Sequence, residues 1–92
     1  MVIETSRFDI AEHLDTEDDI REFLSEAAAS GDASDFIHAL STAARARGMT
    51  AIAKQAGVTR ASLYKSLSET GQPRFETIYK ITRALGCKLA VV

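Results

Sequence analysis

Tryptophan is absent from this 92-residue chain, and cysteine and proline occur once each. The single thiol, Cys87, has no disulfide partner within one chain, so stability must come from packing or from association. His13 and His38 lie far apart in sequence and, with one cysteine, offer no metal-ligand spacing; no metal and no cofactor is expected. Also missing are a glycine-rich phosphate loop, a nucleophile elbow and an HExxH stretch, so no catalytic residue is assigned and the chain reads as a non-enzyme. A membrane span needs about 18 uninterrupted apolar residues, and no run approaches that; the start MVIETSRFDIAEHLD lacks the basic and apolar regions of a signal peptide. The expectation is a cytoplasmic protein with no membrane partner.

What is present is a chain with 46% hydrophobic residues, enough for one modest core. The net charge of -2 conceals a strong asymmetry. Residues 1 to 44 hold two basic side chains against eleven acidic ones, a net of -9, while residues 45 to 92 hold nine basic against two acidic, a net of +7. Segregation of this kind suits two partners of opposite charge, a polyanion for the C-terminal half and a cationic surface for the N-terminal half. Mutual attraction of the two halves is the simpler alternative.

Glycines punctuate short helical stretches. Residues 1 to 15 show no sustained period, although Phe8, Ile10 and Leu14 are apolar enough to dock on the rest. Thr16 followed by Asp19 predicts a capped helix start, and Glu17, Asp18 and Asp19 favour the positive end of its dipole. Ile20, Phe23, Leu24 and Ala27 then lay one apolar stripe until Gly31. Asp32 is placed to cap a second helix through Phe36, Ile37, Leu40, Ala43 and Ala44, with Gly48 as a left-handed stop. Pro73 precedes a last helix carrying Phe75, Ile78, Tyr79, Ile81, Thr82 and Leu85, closed by Gly86. The tail CKLAVV is rich in strand formers and needs a pairing partner, for which the same strand of a second copy is the expectation.

Between them lies TAIAKQAGVTRASLYKSL, residues 50 to 67. Thr50 is placed to cap one short helix, Gly57 to allow a tight turn, and Thr59 to cap a second helix almost at once. Ala53 provides the small residue where two steeply crossed helices approach, and Ile52, Ala56, Val58 and Leu63 make the seam between them. Such a helix-turn-helix leaves Arg60, Ala61, Tyr64 and Lys65 on the face opposite Leu63 and Leu67. That face suits a major groove: Arg60 reaches guanine edges or phosphate, Ala61 meets a thymine methyl, and Tyr64 and Lys65 reach bases or backbone. Thr50 and Thr59 offer hydroxyls to phosphates, and Arg47, Lys54 and Arg74 add supplementary phosphate contacts.

The stretches FDIAEHLDTEDDI, ARARGMTAIAKQAGVTRASLYKSLS and GQPRFETIYKITRALGCKL resemble the HigA-type addiction module antidotes, whose helix-turn-helix is of the phage-repressor (Xre/Cro-like) kind. The resemblance covers nearly the whole chain. Ser66 departs from the wider repressor pattern, where a larger aliphatic residue is usual, and Leu67 is the candidate to take over that packing. What the resemblance implies is a homodimeric repressor of its own operon that holds a RelE/ParE-like toxin inactive. The toxin surface is then expected around Phe8, Asp9, Leu14, Asp18 and Asp19, which read equally well as a solvated helix start.

The resulting expectation is a mainly all-α chain: a five-helix, phage-repressor-like helix-turn-helix domain with a short C-terminal β-strand. Residues 1–31 form an N-terminal segment with an acidic helix, and residues 32–92 the DNA-binding domain with its dimerisation strand. Its partners are double-stranded operator DNA bearing an inverted repeat, a cognate toxin and a second copy of the chain. A stand-alone phage-type repressor, or an interaction adaptor that no longer binds DNA, are the alternatives.

Overall fold

Thr16 and Asp19 start the first helix as a reciprocal pair. The Thr16 hydroxyl accepts from the Asp19 N–H, and the Asp19 carboxylate accepts from the Thr16 N–H, both at 3.1 Å. The computed structural model describes residues 14–68 and 72–91, which contain five helices: α1 Glu17–Ala29, α2 Ala33–Arg47, α3 Met49–Ala56, α4 Arg60–Ser66 and α5 Phe75–Ala84. Asp32 caps α2 by accepting from the Ser34 N–H at 2.8 Å, and Arg45 and Arg47 lie in the last turn, where the helix end is negative.

One core joins all five helices. Ile20, Leu40, Leu63, Ile81 and Leu85 are fully buried, with Leu24, Ile52 and Leu67 close behind. Each such side chain contributes about 1.5–3 kcal/mol when removed from water. Ala39, Ala43 and Ala44 let α2 approach its neighbours closely, and α3 packs against α2, α4 and α5. The buried hydroxyls of Thr42 and Thr82 donate back along their own helices, to the His38 carbonyl at 3.2 Å and the Ile78 carbonyl at 2.8 Å. Among the described residues no buried side-chain polar atom lacks a partner.

Several expectations change in detail. Gly48 has φ 101 and ψ 116, which is positive but not the left-handed helical cap, and it serves two helices at once. Its N–H donates to the Ala44 carbonyl at 2.9 Å, closing α2, and its carbonyl accepts from the Ile52 N–H at 3.1 Å, opening α3. Thr50 therefore lies inside the first turn of α3 and caps nothing. The expected apolar stripe of the last helix divides: Ile81, Thr82 and Leu85 are buried, whereas Phe75 is 72% exposed and Tyr79 is exposed too. No strand forms among the described residues. After α5 the Cys87 N–H bonds to the Thr82 carbonyl at 3.1 Å and Cys87 packs in the core, while residues 88 to 91 have no ladder to join in a single chain. Among the described residues no helix is long and apolar enough to cross a membrane.

Candidate nucleic-acid interface

The turn between α3 and α4 is three residues long, Gly57 to Thr59. Gly57 adopts φ 74, ψ 30, the left-handed conformation that a side chain disfavours, and the Val58 N–H reaches back to the Ala53 carbonyl at 3.0 Å. Thr59 starts α4 by accepting from the Ser62 N–H at 3.0 Å. Ala53, Ile52, Ala56 and Leu63 are buried and Val58 half-buried, so the seam expected between the two helices is present. Leu67 is buried in the core and Ser66 beside it is half-buried.

The outer side of this unit carries the basic and polar groups. Arg60, Ala61, Tyr64 and Lys65 are all exposed on α4, and Thr59 is exposed at its cap. Thr50 and Lys54 are exposed along α3, Arg47 at the end of α2, and Arg74 at the start of α5. From residue 45 to residue 68 the sequence holds five basic side chains and no carboxylate, so the charged side chains of α3 and α4 are all basic.

Two pairings on this surface did not emerge from the sequence. The Arg60 guanidinium lies over the Tyr64 ring, 5.3 Å from its centroid, and its Nη2 donates to the Tyr64 hydroxyl at 3.2 Å. The i,i+4 spacing of an arginine and an aromatic residue was the available signal. Arg47 Nη2 pairs with Glu17 Oε2 at 3.5 Å, joining the start of α1 to the end of α2. The same carboxylate lies against Gly86, where an added Cβ would come within 2.8 Å of Glu17 Oε2. A third array runs along α5: Phe75 stacks on Tyr79 with centroids 6.2 Å apart, and Arg83 lies over Tyr79 at 6.0 Å.

The residues expected to meet a toxin are scattered in environment. Leu14 is buried in the core, which leaves it little surface to offer, and its place was hidden by the lack of any period before residue 16. Asp19 is half-buried and its carboxylate is occupied by the Asp15 and Thr16 N–H groups. Asp18 is exposed and paired with Arg21. Phe8 and Asp9 lie outside the described residues.

A family model described as a probable addiction module antidote protein matches residues 4–92 of the chain. An uncharacterized protein of Haemophilus influenzae is 43% identical over 84 residues, which span 91% of this chain and 87% of that protein. No solved structure matches the chain significantly.

Proposed function

We propose, for a chain that belongs to the probable addiction module antidote family, that it is the antitoxin of a toxin–antitoxin pair and represses its own operon through the α3–α4 helix-turn-helix. The observation that carries the DNA-binding half of this reading is the division of α4. Leu63 is fully buried while Arg60, Ala61, Tyr64 and Lys65 stand exposed on the other side, within a stretch that has no carboxylate. The HigA-type, Xre/Cro-like resemblance supports the same assignment.

In this mechanism α4 enters the major groove, and the face carrying Arg60, Ala61, Tyr64 and Lys65 selects the sequence. Arg47, Thr50, Lys54, Thr59 and Arg74 hold phosphates and set the register. Two chains associate so that their recognition helices lie about 34 Å apart, one duplex turn, and the operator is an inverted repeat. The exposed Phe75 and Tyr79 of α5, with Leu89 and the fully exposed Val91 of the C-terminal segment, are the apolar surface available for that association. Leu85 is fully buried and takes no part in it. Pairing of the C-terminal segments in the dimer would supply the ladder that a single chain lacks.

The cognate toxin, of RelE/ParE-like fold, docks on the acidic side. Glu17, Asp18, Glu22 and Glu26 are exposed on α1, and their charge is complementary to a cationic partner. The test is an anisotropy titration of the protein on its own promoter DNA and on scrambled DNA, at low and physiological salt. Preferential, salt-sensitive binding is the expected result. No binding at either salt would sink the repressor reading and leave an interaction adaptor in its place.

A further inference from the structure

We infer that Tyr64 is a positioning residue for Arg60, holding its guanidinium in the orientation in which Arg60 reads a guanine. The inference rests on the DNA-binding reading above and assigns the two side chains different tasks. Tyr64 secures Arg60 twice, through the face of its ring and through its hydroxyl, which accepts from Nη2 at 3.2 Å. One hydrogen bond to Tyr64 leaves the other N–H groups of the planar fork free to donate in parallel to O6 and N7 of a guanine.

The nature of the partner matters as much as the distance. Arg47 is held by the carboxylate of Glu17 and must loosen that ion pair to meet a phosphate. Arg60 is held by a neutral phenol, so it keeps its whole charge toward DNA and breaks no ion pair on binding. Among the described residues, Arg60 is the one basic side chain of α3 and α4 seated on an aromatic ring; Lys54 and Lys65 are not. A long side chain ordered before its ligand arrives loses less freedom on binding, which sharpens discrimination as well as affinity. Ala61, beside Arg60, adds no bulk that would crowd the approach.

The test compares wild type, Tyr64→Phe, Tyr64→Ala, Arg60→Ala and the Tyr64→Ala/Arg60→Ala double variant by anisotropy. The probes are the promoter duplex and a set of duplexes with single base-pair changes. Tyr64→Ala is expected to weaken promoter binding about three- to thirtyfold and to flatten the preference at the same base pair as Arg60→Ala. Tyr64→Phe, which keeps the ring and loses the hydroxyl, is expected to fall between. In the Arg60→Ala background the effect of Tyr64→Ala is expected to vanish. An undiminished loss in that background, or a flattened preference at a different base pair, would show that Tyr64 meets DNA itself and overturn the proposal, as would a Tyr64→Ala variant that binds like wild type. A wild-type protein that does not distinguish promoter from scrambled DNA would instead overturn the repressor reading beneath it.

Discussion

Leu63 and Tyr64 are neighbours in sequence and opposites in environment, the first fully buried and the second 47% exposed. Substitutions at the two faces should therefore fail differently. Leu63→Ala leaves a cavity between α3 and α4 and is expected to cost about 2–5 kcal/mol of stability, measured by chemical or thermal unfolding. Arg60→Ala is expected to change stability by no more than about 0.5 kcal/mol while costing about 1–3 kcal/mol of operator affinity and relaxing preference at one base pair. A loss spread evenly over all sequences would make Arg60 a phosphate contact instead. Cys87 gives a pH test. Burial pushes its thiol up, with Arg21 opposing and Glu17 reinforcing, so the folded chain keeps the proton at a pH where the unfolded chain has lost it. Stability therefore falls as pH rises past the ordinary thiol value of 9.0, and Cys87→Ala should flatten that alkaline slope in urea titrations at successive pH values. At this scale the sequence periodicity separated Leu63 and Leu67 from the outer face of α4. It did not reveal that Leu14 is buried, because the first fifteen residues carry no period, nor that Arg60 and Tyr64 form one unit, because periodicity assigns faces and not pairs.

Among the helices, the caps were the most readable features, because a cap is a bond between residues two or three apart. Thr16, Asp32 and Thr59 all bond as their positions suggested. Thr59→Ala should lower stability by about 1 kcal/mol, and Gly57→Ala, which forces a Cβ onto φ 74, by about 1–2 kcal/mol; both are checked by unfolding midpoints. Thr50 misled because the same rule was applied two residues too late: Gly48 already turns the chain between α2 and α3 and leaves no cap position for a hydroxyl. The C-terminal strand is not seen among the described residues, for a different reason. Strand propensity describes how a segment behaves when it has a neighbour, and residues 88 to 91 have none in one chain. Deleting residues 89 to 92 spares the buried Cys87 and should abolish dimer formation; unchanged mass by light scattering and unchanged DNA affinity would refute a role for the tail in association.

Over the whole molecule, segregated charge is the property that the sequence displayed most plainly. The acidic α1 and the basic α3–α4 unit share one core, and Glu17 of α1 pairs with Arg47 at the end of α2. A protein so divided should bind DNA with a steep dependence on salt, and Arg47→Ala should reduce the slope of log K against log salt by about one if that side chain holds a phosphate. Gly48 adds a mechanical consequence. Because one residue both closes α2 and opens α3, the corner between them has no slack, and the three-residue turn that follows adds little more. The angle at which α4 is presented then depends on how α3 is seated between α2 and α5. A substitution buried in α2, such as enlarging Ala43, is expected to surface first as altered choice of DNA sequence, well before the protein loses its fold.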